Sequence, residues 1–356
     1  IRLIPYNNLN NSIIIMYHSS IYSNESFVEY YSNYNMKQSF KSIFNVSNVS
    51  ETYVYNVKIK ELTPNTIYYY QINLNNEKRE IMSFKTISND FKKLNILVIA
   101  DTQGIDKFNN IYDKPIINKL YYIKSNKYDM IIHEGDIISH GNNQREWNNY
   151  FEKMEFIHSK KVCLFTQGNH DTMNIYNNII TEYSYIKEFG NLVSIICLNT
   201  ELDVNNDLVY NYLNNSNVFK HKIVFFHKPI FNNRIKRKNL DNNWSYYFNL
   251  SNVNIVFNGH NHWYEKLLIN NTFYITCPSL IGSLKDSKFH NKTNELISFK
   301  NEYGFILMEI TNNNIKIDVI FYKKGNYVSI IPITIFIIGL NSIILYYFYL
   351  DSKIPD

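Results

Sequence analysis

Five short apolar runs, each followed within three residues by a residue type that binds metal ions, constrain the fold of this chain more than any other feature. The runs occupy residues 94–100, 128–133, 162–166, 222–226 and 253–257. They are followed in order by Asp101, by Gly135-Asp136, by Gly168-Asn169-His170-Asp171, by His227, and by His260 and His262. Runs of this length and composition are typical of buried strands. Because ligands gather at the carboxyl ends of strands in α/β sheets, the sequence predicts one site at that edge.

The last of the five motifs is the most informative on its own. His260 and His262 are two residues apart, and on an extended chain such residues point the same way. Two imidazoles directed at one place suit a metal ion. Asp101, Asp136, Asn169 and His227 each admit a simpler role as turn, cap or core residue. Their ordered recurrence favours a single metal site that includes both histidines, whereas His18, His133, His158, His221 and His290 are interpreted as structural.

The residues before the first motif differ in composition and pattern. Runs at 12–17, 51–59 and 67–72 are rich in β-branched and aromatic residues, and a Pro-Asn turn signal lies between the last two. Residues 1–87 are therefore predicted to form an all-β sandwich, with a polar linker at 88–93. Between the second and third motifs, Trp147, Tyr150, Phe151 and Met154 have helical spacing, which predicts a helix packed on a sheet.

The order of motifs resembles the metallophosphoesterase superfamily, and within it the purple acid phosphatase-like branch. The sandwich precedes the catalytic part, and His260-Asn261-His262-Trp263-Tyr264-Glu265 resembles the branch's His-x-His-x-Tyr-Glu. The resemblance covers about residues 1–325. It implies a fibronectin type III-like sandwich over 1–87, with Tyr69 as a core or corner tyrosine. It also implies a four-layer α-β-β-α metallophosphoesterase domain over 94–325.

The resemblance also implies roles for the candidate residues. Asp136 would bridge two metal ions, drawn from iron, manganese or zinc. One ion would be completed by Asn169, His227 and His260, and the other by Asp101 and His262. His170 would contact phosphate as a candidate catalytic acid rather than bind a metal, with a role that only supports the ligands as the alternative. The implied activity is hydrolysis of a phosphate monoester, in a phosphorylated small molecule or protein, by attack of metal-bound hydroxide.

Two departures from the family pattern bear on that expectation. Ser139 stands where the branch has the tyrosine that colours ferric iron, and Gln103 stands where many superfamily members have a metal-binding histidine. Gln103 or His140 is a candidate extra ligand or support. A colourless site with a divalent first metal is predicted. Arg234, Lys236 and Arg237 are candidate phosphate contacts, with a solvated charge run as the alternative.

Other activities stay open at the level of sequence. The same ligands serve phosphodiesterases and protein phosphatases, and a non-catalytic, membrane-anchored scaffold or adhesion protein is the alternative outside enzymes. The formal net charge is +5 with no basic stripe, so a nucleic-acid partner is not expected. The cysteines Cys163 and Cys197 lie in apolar runs and are predicted to be buried thiols.

The last part of the chain suggests a membrane. Residues 328–350 form an uncharged run of 23 residues, long enough to span a bilayer as a helix. A buried C-terminal hairpin is the alternative. With the domain order, this run predicts a membrane-anchored protein with an extracytoplasmic or luminal catalytic domain.

Overall fold

The structure is a computed structural model of the whole chain. It describes residues 1–6, 9–32, 40–41, 44–49, 52–90, 92–104, 123, 128–180, 182–202, 204–231, 233, 243–284, 296–322, 328–337 and 343–347.

The N-terminal part consists of short strands, as predicted. They are β1 (Arg2–Pro5), β2 (Ile13–Ser19), β3 (Phe27–Ser32), β4 (Phe40–Lys41), β5 (Phe44–Val49), β6 (Thr52–Ile59), β7 (Ile67–Leu74), β8 (Glu77–Lys78) and β9 (Met82–Lys85). One sheet has the order β4-β3-β7-β8, with β9 paired to β7, and it packs against β1, β2 and β6. Their inward side chains form a core of their own, which includes Ile15, Tyr55, Tyr70 and Phe84.

Tyr69, which was predicted to be a core or corner tyrosine, does not lie in this core. Of the three tyrosines in β7, Tyr68 and Tyr70 are buried, whereas Tyr69 is only half-buried and stacks on Tyr31 of β3. Neighbouring residues of a strand face opposite sides of the sheet, so Tyr69 cannot share a face with Tyr68 and Tyr70. Tyr70 is one of the core tyrosines, and its hydroxyl donates to the carbonyl of Ser159 (2.6 Å).

The second part alternates strands and helices. The strands are β10 (Lys93–Ile99), β11 (Met130–His133), β12 (Val162–Phe165), β13 (Tyr185–Phe189), β14 (Val193–Cys197), β15 (His221–Phe225), β16 (Ile255–Asn258), β17 (Tyr264–Ile269), β18 (Thr272–Thr276), β19 (Leu296–Lys300), β20 (Tyr303–Thr311) and β21 (Asn314–Tyr322). The described helices are α1 (Gln144–Lys153), α2 (Glu155–His158), α3 (Met173–Ile179), α4 (Asn206–Asn215) and α5 (Trp244–Leu250), with a 3₁₀ turn at Ser216–Val218. All five predicted apolar runs contain a strand, and α1 contains the predicted Trp147, Tyr150 and Phe151.

Two sheets pack face to face and helices cover their outer sides. The apolar space between the sheets holds residues such as Val98, Ile132, Phe225 and Phe257. On the far side of the first sheet, a second cluster brings Trp147 of α1 and Tyr176 of α3 onto the strands. On the far side of the second sheet, Val209 of α4 and Phe248 of α5 do the same. The predicted four layers, α-β-β-α, are therefore present.

The first sheet does not stop at the boundary between the two parts. Its order is β23-β22-β21-β20-β10-β11-β12-β1-β2-β6-β5, where β22 is Val328–Ile337 and β23 is Ile343–Tyr347. Strand β1 pairs in parallel with β12, through Leu3 and Val162, and antiparallel with β2. The N-terminal sandwich thus contributes its first strand directly to the sheet that carries Asp101 and Asp136.

The membrane-spanning helix predicted over 328–350 is not found. The described residues form strands β22 (Val328–Ile337) and β23 (Ile343–Tyr347), which pair antiparallel, and β22 also pairs with β21. Isoleucine, threonine and tyrosine favour strands, so an uncharged run of this length suits a strand pair as well as a helix. No helix in the described part of the chain is long and apolar enough to cross a membrane. Membrane attachment and an extracytoplasmic or luminal location stay predictions.

Candidate metal centre

The predicted ligands meet at one edge of the two facing sheets. Strands β10, β11 and β12 are parallel neighbours in the first sheet, and β15 and β16 are parallel neighbours in the second. Asp101, Asp136 and Asn169 follow the first three strands, and His227 and the pair His260 and His262 follow the other two. Because all five strands end at the same edge, six side chains that are far apart in sequence converge there.

One group of ligands surrounds the imidazole of His227. Its Nδ1 donates to the carbonyl of Glu134 (2.8 Å), which leaves Nε2 to face the site. That nitrogen lies 3.2 Å from Oδ1 of Asp136, 3.1 Å from Oδ1 of Asn169 and 3.2 Å from Nδ1 of His260. Asp136, His227 and His260 form a group whose ligand atoms lie within 4.8 Å of one another.

The second group shares Asp136 with the first. It consists of Asp101, Asp136 and His262, again with ligand atoms within 4.8 Å of one another. His262 donates from Nδ1 to the carbonyl of Ser283 (2.7 Å), and its Nε2 lies 3.5 Å from Oδ1 of Asp101. Two groups that overlap in one buried carboxylate are the arrangement that two neighbouring cations require.

The side chain of Gln103 lies within the second group. Its Nε2 is 3.2 Å from Oδ2 of Asp136 and 3.2 Å from Nε2 of His262, whereas its Oε1 is buried and has no hydrogen bond to any described residue. Rotation of the amide by half a turn would exchange the two atoms and direct the oxygen at the ligands. Of the two candidate extra ligands, Gln103 is therefore the one that the fold brings to the site.

His140, the other candidate, is held elsewhere. Its Nδ1 lies 2.6 Å from Oε1 of Glu146 in α1, and its side chain is 65% exposed. His140 belongs to neither group of converging ligands that the described residues form. Arg234, Lys236 and Arg237, the candidate phosphate contacts, lie outside the described residues.

The backbone at the ligands is unusual. Four of them are non-glycine residues with positive φ: Asp101 (51°), Asp136 (51°), His260 (71°) and His262 (62°). Such conformations cost free energy and persist only where surrounding contacts impose them. Here the backbone N–H of His260 donates to both carboxylate oxygens of Asp101 (3.1 Å each), and that of His170 donates to Oδ1 of Asp136 (2.9 Å). The ligands are thus fixed by the main chain before any ion binds.

The charges of the site show that it is built for a cation. Burial opposes a charge on His227, but Asp136 and Asp101 outweigh it and raise the pKa of His227 to about 9. Burial also acts against the carboxylate of Asp136, yet the charge and hydrogen bonds of His227 hold the pKa of Asp136 below its usual range. Burial raises the pKa of Asp101, and the charge of Asp136 adds to this effect. Two buried carboxylates therefore depend on nearby positive charge, which divalent ions supply far better than one imidazole.

The donor set fits metal ions. The single nitrogen Nε2 of His227 faces a carboxylate oxygen, an amide oxygen and another imidazole nitrogen, and one proton cannot satisfy all three. Carboxylate, amide and imidazole donors in this combination suit zinc, manganese or iron. The donor set does not distinguish among these three metals.

His170 lies beside the ligands and is exposed, as a residue that contacts substrate must be. Its Nδ1 donates to the carbonyl of Ser139 (2.8 Å), and no described residue is a partner of its Nε2. The backbone of Ser139, at the position where the branch has a tyrosine, therefore orients the His170 ring. With Nδ1 held in this way, Nε2 is the ring atom that His170 presents to a substrate.

Asp171 was missed by the sequence reasoning, although it ends the motif that contains Asn169 and His170. Its buried carboxylate accepts the backbone N–H groups of Ile137 (2.9 Å), Ile138 (3.3 Å) and Gly168 (2.9 Å). It therefore ties the loop of Asp136 to the loop of Asn169. The signal was its place in the motif, but a role that acts only on backbone groups leaves no pattern in residue types.

A buried amide pair, which the sequence reasoning also missed, links the loop of Asn169 to that of His227. Asn199 donates from Nδ2 to Oε1 of Gln167 (2.9 Å), and Oδ1 of Asn199 accepts the N–H of Glu201 (2.9 Å). Glu201 in turn pairs with Lys228, next to His227 (2.7 Å). Asparagine is so common in this sequence that no pattern distinguished Asn199.

Comparison with known families decides what kind of protein this geometry belongs to. Residues 94–264 match the calcineurin-like phosphoesterase family, and residues 1–86 match the purple acid phosphatase N-terminal domain. The chain carries a calcineurin-like metallophosphoesterase domain. It is a phosphoesterase hydrolase with a purple acid phosphatase N-terminal domain. The metallophosphoesterase family uses a dinuclear metal centre, and the two ligand groups of this chain are the candidates to hold one. No curated protein matches the metallophosphoesterase chain by sequence.

Solved structures with similar folds agree with this assignment. The purple acid phosphatase PPD1 from yellow lupin (Lupinus luteus) seeds is 15% identical, with a TM-score of 0.73 over 91% of this chain and 72% of that one. A structure of PhoD is 11% identical, with a TM-score of 0.71 over 94% and 90% of the two chains. GAP50, the anchor in the inner membrane complex of Plasmodium, is 21% identical, with a TM-score of 0.51 over 67% and 88%. At these identities the likeness is one of fold.

Proposed function

We propose that this metallophosphoesterase is a dinuclear-metal phosphohydrolase that cleaves phosphate monoesters. The observation that carries the proposal is the pair of ligand groups that share Asp136, with the exposed His170 beside them. Asp136, Asn169, His227 and His260 would hold one ion, and Asp101, Asp136 and His262 the other. When bound, the two ions supply an activated water and neutralise charge on the phosphoryl oxygens.

The residues of the chain perform the remaining tasks. The backbone N–H of His170 and the Nε2 of Gln103 both donate to Asp136, which keeps the shared carboxylate in one orientation. His170 presents an exposed imidazole whose Nδ1–H is held by the carbonyl of Ser139. In its protonated form the ring can give the proton on Nε2 to the leaving-group oxygen, so that the leaving group departs as an alcohol or phenol, His170 is left neutral and the ligands are unchanged.

The direct test is turnover of an aryl phosphate monoester by the full chain, loaded in turn with manganese, zinc or iron, from about pH 4 to about pH 9. Asp136→Asn removes a shared anionic ligand and is expected to abolish metal-dependent turnover. His170→Ala keeps all ligands, and we expect a loss of about 10²–10⁴-fold in kcat with metal content unchanged. Asp207→Asn, an exposed carboxylate at the start of α4, is the matched control and should turn over normally.

Two results would decide against the monoesterase. Faster turnover of an aryl diester than of the monoester would make the chain a phosphodiesterase with the same centre. Metal bound at both groups with no turnover of monoester, diester or phosphopeptide would favour the non-catalytic scaffold. Loss of metal in His170→Ala would mean that His170 is a ligand, contrary to the role proposed for it.

A further inference from the structure

A cavity separate from the metal centre lies between the N-terminal sandwich and the phosphoesterase sheet. It has a volume of about 360 Å³ and is lined by the end of β9 with the residues after it, by the start of β10, and by the start of β12. Asp101 and Asn169 follow the opposite ends of β10 and β12. A strand rises about 3.3 Å per residue, so the seven residues of β10 place this cavity roughly 20 Å from the metal centre.

The cavity combines an apolar floor with a basic rim. The floor is formed by Leu9, Ile13, Phe84, Ile87 and Val162, all buried or half-buried. The rim carries the lysines Lys85, Lys92, Lys93, Lys160 and Lys161. Its acidic residues are Asp90 and Asp129. Lysines therefore outnumber carboxylates around an opening that contains apolar surface.

Some of these charges are already used. The ammonium of Lys93 pairs with Glu309 of β20. Oδ2 of Asp129 accepts the backbone N–H (2.8 Å) and the side-chain amide (3.1 Å) of Asn95. Among the described residues, Lys85, Lys92 and Lys160 have no ion-pair partner, so the cavity keeps an excess of positive charge.

Among the five rim lysines, Lys161 is the most enclosed. Its Nζ lies 5.9 Å from the centre of the Tyr128 ring, and its side chain is half-buried. Burial lowers the pKa of Lys161, and the nearby charge of Lys85 lowers it further, while Asp129 opposes both. An anion placed between Lys85 and Lys161 would relieve this repulsion.

We propose that this cavity is a second binding site, separate from the metal centre, for a small organic anion. Its ligand would carry one phosphate, sulfate, sulfonate or carboxylate group for the lysines and an apolar body for the floor. The volume lies within the range of small-molecule sites. The ligand would contact both the sandwich and the first sheet, so its binding would also stabilise their junction.

The test is calorimetric titration of the full chain with 1-naphthalenesulfonate, whose carbon–sulfur bond a phosphohydrolase does not cleave. We expect one saturable site, with the same affinity in metal-loaded and chelator-treated protein, and weaker binding at high salt. Neutral 1-naphthalenemethanol should lack the charge contribution, and inorganic sulfate should lack the apolar one, so both should bind at least about tenfold more weakly.

Variants then locate the site. Lys85→Ala with Lys161→Ala should weaken binding about tenfold or more, and Ser88→Trp, which fills the cavity without removing charge, should do the same. Lys220→Ala, an exposed lysine outside the cavity, is the control and should bind as the parent does.

Three outcomes would overturn the proposal: no saturable binding, binding that both cavity variants leave unchanged, or binding that disappears when the metal is removed. Equal affinity for inorganic sulfate would show that the apolar floor has no part and would reject the ligand class. None of these results bears on turnover at the metal centre, so the proposed function stands or falls separately.

Discussion

Gln103 stands where the family resemblance led us to expect a metal-binding histidine. Its amide occupies the space between Asp136 and His262, at 3.2 Å from each. Gln103→His would place an imidazole there, a stronger donor than an amide. We expect metal affinity at the second group to rise about tenfold or more, as measured by metal titration under competition with a chelator.

Gln103→Ala is the matched variant for this prediction. If the glutamine contributes its oxygen to the metal, Gln103→Ala lowers affinity as Gln103→His raises it. Affinities that are the same in the parent and in both variants would show that position 103 has no contact with the metal.

The sequence predicted residues well where each acts through its own functional group. Asp101, Asp136, Asn169, His227, His260 and His262 each follow a strand, and parallel strands bring their ends together, so local pattern was sufficient to assemble them. Asp171 acts on the backbone of other loops, and Tyr69 differs from Tyr70 only in the face of the strand it occupies. Neither fact depends on residue type, so neither could be predicted from it.

The loops that carry the ligands pack against each other at the level of the main chain. A Cβ at Gly168 would lie 2.1 Å from the backbone nitrogen and 2.3 Å from Oδ1 of Asp136. Gly168→Ala must therefore displace the loop of Asp136, and we expect it to destabilise the protein by about 3 kcal/mol or more and to reduce metal affinity. Denaturant unfolding and metal titration measure the two effects.

Gly104→Ala separates close packing from backbone conformation. Gly104 has a φ of +98°, but a Cβ there would meet no atom of the described residues within 4 Å. It should cost only the strain of a left-handed alanine, about 1–2 kcal/mol, and leave metal affinity nearly unchanged. Equal costs for the two variants would show that the loops of Asp136 and Asn169 are not held together by this contact.

Elements were predictable from sequence in their type but not always in their partners. The five ligand-bearing strands and α1 follow from short apolar runs and from helical spacing. The run at 328–350 was assigned to the wrong element because length and lack of charge, on which the prediction depended, are shared by a membrane helix and a strand pair. Pairing of β22 with β21 is a tertiary contact, and the sequence of β22 alone does not contain it.

At the scale of the whole molecule, the sandwich and the catalytic part share one sheet. The composition changes near residue 88, where the two family matches meet. Strand β1 from the N-terminal side of that boundary nevertheless pairs with β12 from the other side. This pairing joins residues that are about 160 positions apart, and no local pattern reports such a distance. The same pairing places the proposed anion cavity at the junction of the two parts, because Val162 at the start of β12 both pairs with β1 and lines the cavity.

The catalytic part also contains two buried histidines that should make the whole fold sensitive to acid. His158 and His133 are fully buried, and His158 accepts or donates at Tyr150 of α1 (3.0 Å). Burial lowers the pKa of His133 to about 3, and it lowers the pKa of His158 well below its ordinary value. The unfolded chain would therefore bind protons at these positions below about pH 6.5, whereas the folded chain would not.

Stability from each buried histidine is thus complete above about pH 6.5 and is lost as the pH falls from there toward the folded pKa, by roughly 1.4 kcal/mol per pH unit.

His158→Gln removes one such group and keeps a polar side chain beside Tyr150. We expect the variant to be less stable than the parent at about pH 7.5, but its free energy of unfolding should fall less steeply with acid. Urea unfolding of both proteins between about pH 7.5 and about pH 5 measures the two slopes, and buried carboxylates affect both proteins equally, so they cancel in the difference. Parallel slopes would mean that His158 is protonated within the fold, and its interior environment would then have to supply a negative partner.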